Sequence, residues 1–413
     1  MGNFVLGGSV VSSEDGGFSD ALGKAYANKV RPLCACREPG VPMYIAKIAG
    51  KYFIKRMPNS GGDHAATCES YEPPPELSGL GQVLGNAIQE DAEAGLTALK
   101  FDFSLTKMAG RAAPVASTTE SDSVKTDGNK LSLRGALHYL WEEAGFNRWA
   151  PSMEGKRSWY VIRKYLLQAA DNKTAKGAAL GDMLYIPETY KPEQKAEIAQ
   201  RRLGHLRRAL VTEKGPKQLM LVIGEVKEIS PSRYGYKIVF KHLPDWHFML
   251  NEDIHKRLLR RFDLEMGLWD AIDDTHMVAI GTFSVGHTGI ASLEEVALMT
   301  VTENWVPFET TYDKLVIDEL TASRRRFMKG MRYNLPTLRP LASLVLNDTE
   351  PTPTAMYIAG PGASEDYLTA LNTLMDESSL ARWFWTAGEE AMPPLPPLPS
   401  YSKGDKDESQ RIN

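Results

Sequence analysis

All three cysteines of this 413-residue chain lie between positions 34 and 68, and this clustering constrains the fold more than any other feature of the sequence. Cys34 and Cys36 form a C-x-C pair, and His64 and Cys68 form an H-x-x-x-C pair. A structural zinc site is a closed tetrahedron of four thiolate or imidazole ligands. The pattern therefore predicts one structural zinc ion bound by Cys34, Cys36, His64 and Cys68. Two alternatives stay open: three free thiols with His64 at the surface, or a redox pair.

A predicted β-hairpin separates the two ligand pairs. Residues 43–57, MYIAKIAGKYFIKRM, contain two β-rich runs on either side of the turn dipeptide Ala49-Gly50. The hairpin would carry the chain away from the first ligand pair and back to the second. The following stretch YEPPPE is a rigid spacer, because three consecutive prolines exclude a helix. A helix is expected next, over about 80–94.

Changes of composition divide the chain into units. Two amphipathic helices, LRGALHYLWEEAG and KRSWYVIRKYLLQAA, are compatible with a winged helix-turn-helix DNA reader or with a plain helical hairpin. The predicted fold class is α+β with several domains: a zinc-bound hairpin module at 1–110, a linker at 111–130, a helical unit at 131–190, a mixed sheet unit at 191–310, a C-terminal mixed α/β unit at 311–390, and a disordered tail, rich in proline and then in charge, at 391–413.

Charge and hydropathy exclude several classes of protein. The formal net charge is −4, so any nucleic-acid-binding surface must be local. No apolar run approaches the roughly 20 residues of a membrane span, and we expect no membrane partner. The N-terminal stretch MGNFVLGGSVVSSEDGG lacks the cationic start and apolar core of a secretory signal. These features predict a cytoplasmic protein.

Three long strings resemble one protein family. They are RPLCACREPGVPMYIAKIAGKYFIKRMPNSGGDHAATCESYEPPPELSGLGQVLG, LRGALHYLWEEAGFNRWAP and GKRSWYVIRKYLLQAA. They resemble the family catalogued as domain of unknown function 1173, and the resemblance runs over roughly residues 18–388. The family has no established activity, so the resemblance implies no chemistry. It does imply a genetic context, because the members look like proteins encoded on conjugative plasmids and integrating elements of bacteria. The expected partners are DNA and other mobile-element proteins.

The C-terminal unit also looks like restriction-endonuclease-type domains. There, a strand bearing PD and a strand bearing D/E-x-K place two carboxylates and a lysine around a metal ion. This chain has Ala342 and Ser343 where PD would stand, and Ala355 or Met356 where the glutamate would stand. Asp348 is the carboxylate that remains near the turn. The resemblance implies a degenerate core without nuclease activity, and the alternative is an ordinary hairpin whose turn contains Asp348.

Two polar clusters are candidate sites. The denser one lies on a helix predicted over 311–329 and in the turn that follows it, which would let several of its side chains meet DNA phosphates together. It consists of Arg324, Arg325, Arg326, Lys329 and Arg332. The second, in the run KHLPDWH, places His242, Asp245 and His247 close together as conceivable metal ligands, although polar residues at a strand end explain it better.

The sequence thus predicts a zinc-containing, non-catalytic, DNA-associated accessory protein of a bacterial mobile element. One alternative is a metal-dependent nuclease with an unrecognised active site. The other is a protein-interaction module with the polyproline run PPLPPLP, residues 393–399, as its ligand. No G-x-S-x-G, Walker A or H-E-x-x-H motif occurs, so we assign no catalytic residue.

Overall fold

The hairpin predicted over residues 43–57 belongs to an antiparallel sheet of five strands. The computed structural model of the chain describes residues 2–48, 50–107, 128–209 and 217–399. Its first elements are β1 (Asn3–Leu6), β2 (Ser9–Ser12), α1 (Phe18–Ala27), β3 (Leu33–Cys34), β4 (Val41–Ile48) and β5 (Lys51–Arg56). The strands lie in the order β2-β1-β3-β4-β5, with Met43 opposite Arg56. The hairpin is therefore confirmed, and it lies beside the strand that ends at Cys34.

Short strands and helices form the next part of the chain. They are α2 (Leu80–Val83), β6 (Ile88–Asp91), β7 (Leu96–Leu99), β8 (Thr106–Lys107), α3 (Leu133–Glu143), β9 (Arg148–Trp149), α4 (Trp159–Ala170), β10 (Lys173–Ala175), β11 (Ala178–Ala179), β12 (Leu184–Tyr185) and α5 (Lys195–His205). The helix expected over 80–94 is wrong beyond Val83. Gly85 has a φ of 78°, and the Asp91 carboxylate accepts bonds from two backbone N–H groups to close the turn of hairpin β6–β7.

Five strands close into a barrel in the following segment. Its elements are β13 (Lys217–Gln218), β14 (Met220–Ser232), β15 (Gly235–Phe240), β16 (Phe248–Leu250), α6 (Glu252–Arg261), α7 (Asp263–Ala271), β17 (Thr275–Val285) and β18 (Ala291–Thr302). The pairing runs β14-β15-β16-β18-β17 and returns to β14. All pairs are antiparallel except β16 with β18, and the two helices connect the third strand to the fourth. This is a five-stranded Greek-key barrel with the architecture of the OB-fold.

The long strand β14 makes closure possible. Its first half pairs with β17 and its second half pairs with β15, and the register shifts between Val226 and Glu228. A bulge of this kind bends a strand and increases its twist. At Gly224 a Cβ would lie 2.5 Å from the ring of Phe240, so the close approach of strand and ring requires glycine. The bulge and the glycine together turn one strand from one side of the barrel to the other.

Helix α3 packs against this barrel. Ser132 caps it, as its hydroxyl accepts a bond of 3.0 Å from the N–H of Gly135. Its apolar face, which includes Leu137 and Trp141, is buried and belongs to the same core as the barrel strands. His138 on the same helix is also buried, at 5% exposure. Helix α3 is therefore a core helix, enclosed on more than one side.

The C-terminal unit is a mixed sheet with two helices. Its elements are α8 (Thr311–Ala322), β19 (Phe327–Lys329), β20 (Leu344–Leu346), β21 (Thr354–Ala359), α9 (Glu365–Glu377) and β22 (Ala381–Thr386). The strand order is β22-β21-β20-β19-β9, with β21 parallel to β22. The helix predicted over 311–329 is wrong beyond Ala322, because Arg324 takes a φ of 56° and the chain then enters β19.

Sheets cross the predicted unit boundaries. Strand β9, from the predicted helical unit, extends the C-terminal sheet, and β10 joins β7 of the predicted zinc module. The predicted linker lies outside the described residues as far as position 127, and so do residues 400–413 of the predicted tail. Residues 391–399 are described, and they pack against the C-terminal sheet, so the prediction of disorder is wrong for this part of the tail. In the described ranges, no helix has the length and apolar content that a bilayer crossing requires.

Candidate metal centre

Four side chains from two turns meet beside the N-terminal sheet. Cys34 ends β3, and Cys36 lies in the turn that leads to β4. His64 follows a short 3-10 turn at Gly61–Asp63, and Cys68 lies in the next turn. Hairpin β4–β5 connects the two pairs, so the fold brings the C-x-C and H-x-x-x-C motifs together as the sequence predicted.

The ligand atoms have the spacing of a tetrahedral site. The Sγ atoms of Cys34 and Cys68 are 3.7 Å apart. Nδ1 of His64 lies 3.4 Å from Sγ of Cys36 and 3.7 Å from Sγ of Cys68, and the whole set lies within 4.8 Å. With Zn–S bonds of about 2.3 Å and Zn–N bonds of about 2.0 Å, neighbouring ligands of a tetrahedral zinc ion are about 3.5–3.8 Å apart. The geometry therefore fits a metal ion held by three sulfurs and one nitrogen.

Burial keeps the thiols of Cys34 and Cys68 and the imidazole of His64 in their neutral forms. It raises the pKa of the Cys34 thiol to about 12, and it also raises the pKa of Cys68. Burial lowers the pKa of His64, and the charge of Arg56 lowers it further, so the imidazole is neutral, as a metal ligand must be. A coordinated divalent ion deprotonates the thiols and places positive charge directly at the sulfur atoms.

Hydrogen bonds around the ligands support the same conclusion. The backbone N–H of Ala65 donates to Sγ of Cys36, and that of Ser70 donates to Sγ of Cys68, each over 3.4 Å. Such donors stabilise thiolate charge. The ring of His64 is fully buried, and its Nε2 atom has no hydrogen-bond partner. Coordination through Nδ1 would put the ring proton on Nε2, where no group among the described residues accepts it.

Ion pairs connect the metal centre to the C-terminal sheet. Arg148, at the start of β9, donates to the backbone carbonyl of Glu69 over 2.7 Å, directly beside Cys68. Arg148 and Arg56 both pair with the carboxylate of Glu72, at 3.6 and 2.5 Å. The turn that carries two metal ligands is therefore tied to a strand of another sheet.

The five basic residues predicted to bind DNA do not share one surface. Arg324 and Arg326 are exposed, whereas Arg325, Lys329 and Arg332 are 3%, 2% and 8% exposed. The buried residues pair with carboxylates as follows: Arg325 with Asp348, Lys329 with Asp313, and Arg332 with Glu309. The prediction of a single exposed cluster is therefore wrong. The spacing of basic residues does not reveal the acidic partners that other elements supply.

The other predicted polar sites do not assemble either. The ring of His242 stacks on Trp159 with centroids 5.4 Å apart, and Asp245 lies 3.4 Å from Arg202. His247 is exposed. In the part of the chain that the structure describes, the four residues Cys34, Cys36, His64 and Cys68 are the group that has metal-binding geometry.

The positions of the hypothetical nuclease motif are buried and carry no carboxylate. Ala342, Ser343, Ala355 and Met356 are all 8% exposed or less. The hydroxyl of Ser343 donates to Asp313 of α8 over 2.7 Å. Asp348 lies in the turn before β21, and its carboxylate accepts bonds from the guanidinium of Arg325 and the backbone N–H of Arg326.

One exposed feature was missed by the sequence analysis. The tip of hairpin β14–β15 carries Tyr234, which is 76% exposed, and Arg233, whose guanidinium lies 5.2 Å from the tyrosine ring centroid. The signal in the sequence is the string SRYG between two β-rich runs. This string is short, and nothing in it indicates the barrel that leaves Arg233 and Tyr234 exposed.

Fold and site together define an α+β protein with a Greek-key barrel and a cluster of three cysteines and one histidine that could hold a metal ion. The chain belongs to the family described as "Protein of unknown function (DUF1173)", whose model matches residues 4–388. This confirms the resemblance seen in the sequence. A search of curated proteins and a search of solved structures each gave no match.

Proposed function

We propose that this protein is a zinc-stabilised, non-catalytic accessory protein of a bacterial mobile element that binds single-stranded DNA through its barrel. The observation that carries the proposal is the exposed pair Arg233 and Tyr234 at the tip of hairpin β14–β15. In barrels of this architecture, oligonucleotides bind across the second and third strands and the loops that flank them. The mobile-element context comes from the resemblance described above.

The second and third strands present a suitable outer face. Ile238, Phe240 and Phe248 point into the core, so alternation places Lys237 and Met249 on the outside, where they are register partners and half-buried. Lys237 lies 3.6 Å from Glu228 in a solvent-exposed pair, and such pairs contribute little. The ammonium group is therefore available to a phosphate.

Two loops flank this face. The β14–β15 tip lies at one end of β16, since a Cβ on Gly235 would lie 2.6 Å from the carbonyl oxygen of Leu250. The β17–β18 loop lies at the other end, where Ala291 is opposite Phe248. Trp246 donates to the carbonyl of Gly289 in that loop over 2.9 Å. An exposed aromatic ring beside a guanidinium is what base stacking and phosphate contact require.

The C-terminal sheet supports the non-catalytic part of the proposal. The order α8, three antiparallel strands, α9 and a parallel strand is compatible with the degenerate restriction-endonuclease-like core. Metal-assisted phosphodiester cleavage needs carboxylates at positions that Ser343 and Ala355 occupy here. Helix α3, the first helix of the predicted helix-turn-helix, is buried in the barrel core. The second helix, α4, would be the recognition helix and has an exposed face, so the winged-helix alternative stays a prediction.

Binding of labelled oligothymidylate of about 16 nucleotides, followed by fluorescence anisotropy, tests the proposal. Tyr234→Ala should weaken binding by about 5- to 150-fold, the effect of losing one stacked base at 1–3 kcal/mol. Arg233→Ala should flatten the plot of log affinity against log salt by about 0.7. Tyr160→Ala, on a tyrosine that is 66% exposed on α4, is the matched control and should change nothing.

Three results would count against this assignment. Weaker binding in an Arg324→Ala, Arg326→Ala double variant, with Tyr234→Ala unaffected, would show that DNA binds at the C-terminal sheet instead of the barrel. No binding by the wild-type chain at about 50 mM salt would show that the protein does not bind single-stranded DNA. Cleavage of the oligonucleotide with magnesium or manganese would contradict the non-catalytic role.

A further inference from the structure

The proline-rich segment 391–399 lies against the C-terminal sheet as a ligand lies in a groove. It contributes no strand, and the sheet beneath it is complete, since β22 pairs with β21 along its whole length. Met392 and Leu395 pack on the apolar cluster that contains Trp383, Trp385 and Phe327. Leu398, by contrast, is 54% exposed.

The segment is a polyproline II helix by composition. Every residue from Met392 to Pro399 is either a proline or directly precedes one, and both conditions restrict the backbone to that region. A polyproline II helix has three residues per turn. Its burial follows this period: Pro394 and Pro397 are exposed, and Pro393 and Pro396 are half-buried. One edge of the helix faces solvent, and the other two rest on the sheet as far as Pro396, before the exposed Leu398.

Two donors hold the segment through its backbone carbonyls, and a third holds the residue just before it. The indole N–H of Trp383 donates to the carbonyl of Pro394 over 3.1 Å, and the guanidinium of Arg325 donates to that of Pro396 over 2.6 Å. The indole N–H of Trp385 donates to the carbonyl of Glu390 over 3.0 Å. Proline carbonyls accept the first two bonds, and a polyproline II helix has no internal hydrogen bonds that compete for them. Aromatic-lined grooves with such donors are how proteins recognise proline-rich segments.

The arginine in the groove is itself fixed in place. Asp348 accepts from Nε of Arg325 over 3.1 Å and from its second terminal nitrogen over 2.8 Å, which leaves the remaining nitrogen for the Pro396 carbonyl. Arg325 is 3% exposed. Asp348 therefore positions a donor for the proline-rich segment, and this accounts for both residues without DNA or a catalytic metal.

We propose that the groove formed by Trp383, Trp385 and Arg325 is a recognition site for proline-rich segments of a partner protein. The chain's own residues 391–399 occupy it in cis and define the chemistry of the partner: prolines at intervals of three, with apolar residues between them. A tethered segment competes with a partner for the groove at a millimolar effective concentration. A partner must therefore bind tightly enough to displace the tail. The groove opens to a partner when the tail is released.

The test uses the full chain with a released tail. Replacing Pro393, Pro396 and Pro399 by serine removes the polyproline II geometry from the tail and leaves the groove residues intact. A labelled synthetic peptide with the sequence of residues 391–400 should then bind at least about tenfold more tightly than it binds the wild-type chain. Adding Trp383→Phe removes the indole donor and should weaken binding about fivefold, the effect of one neutral hydrogen bond. Trp269→Phe, outside the groove, is the matched control.

A folded triple variant that does not bind the peptide at about 1 mM would overturn the proposal. If the triple variant does not fold, the single change Leu395→Asp supplies the same test, because it removes one half-buried anchor and keeps the prolines. Binding of a control peptide with its prolines replaced by serine, as tight as the first, would also contradict it. Dimerisation of the wild-type chain that Trp383→Phe abolishes would identify a second copy as the occupant and overturn the assignment to a partner protein.

Discussion

Replacing Cys68 by serine is expected to abolish zinc binding and to unfold the N-terminal sheet while the barrel stays folded. Among the described residues, the apolar cluster beside the site has Cys34, Val41 and Met43 as its buried members, with a few half-buried neighbours. So small a core cannot stabilise a sheet of five strands without help. In zinc-finger peptides the metal supplies an apparent 10–16 kcal/mol at neutral pH, and this is folding free energy.

Metal analysis and limited proteolysis together check this expectation. Wild-type protein should carry about one zinc ion per chain, and Cys68→Ser and His64→Asn should carry none. New cleavage sites in the variants should fall within the strands β1 to β5. His247→Asn, which changes an exposed histidine, should keep both the metal and the wild-type cleavage pattern. A Cys68→Ser protein that retains zinc and resists proteolysis would show that the ion binds elsewhere.

Replacing Arg332 by methionine should destabilise the folded chain by about 3–5 kcal/mol. The guanidinium of Arg332 donates to Glu309 over 2.7 Å and to the carbonyls of Pro336 and Arg339 over 2.9 and 2.8 Å. Methionine fills a similar volume and leaves these acceptors without their donor. Arg326→Met, at an exposed position, should change stability by less than about 0.5 kcal/mol.

The same variant gives a pH test with a defined sign. Burial alone would raise the pKa of Glu309, but Arg332 and Lys329 lower it to about 2. A carboxylate with a depressed pKa in the folded state stabilises the fold at pH values above its unfolded pKa of about 4.3, and this stability disappears as the pH falls toward 2. Chemical denaturation should show the largest difference between wild type and Arg332→Met at neutral pH and a smaller one at pH 3. A difference that does not depend on pH would contradict the ion pair.

The cluster of three cysteines and one histidine and the hairpin between its two halves were predictable because they depend on local sequence. Two short motifs indicate the four residues of the cluster, and two β-rich runs around Ala49-Gly50 indicate the hairpin. The cap of α3 at Ser132 was predictable for the same reason. In each case the residues that decide the structure lie within a few positions of one another.

The barrel was not predictable from such signals. Its closure depends on pairing β14 with both β15 and β17, and on a parallel pair between β16 and β18 across two helices. The buried ion pairs are equally non-local: Arg332 pairs with Glu309, and Arg325 with Asp348, both 23 positions away. The run of arginines therefore suggested one basic surface, whereas the fold exposes some of these residues to solvent and buries the others in ion pairs.

X-ray absorption at the zinc edge of the purified protein determines which atoms surround the metal ion. We expect a first shell of three sulfur atoms at about 2.3 Å and one nitrogen at about 2.0 Å, the shell of a closed structural site. The Cys34→Ser variant should lose this spectrum. A shell of oxygen and nitrogen ligands without sulfur, or protein purified without chelators that contains no zinc, would contradict it.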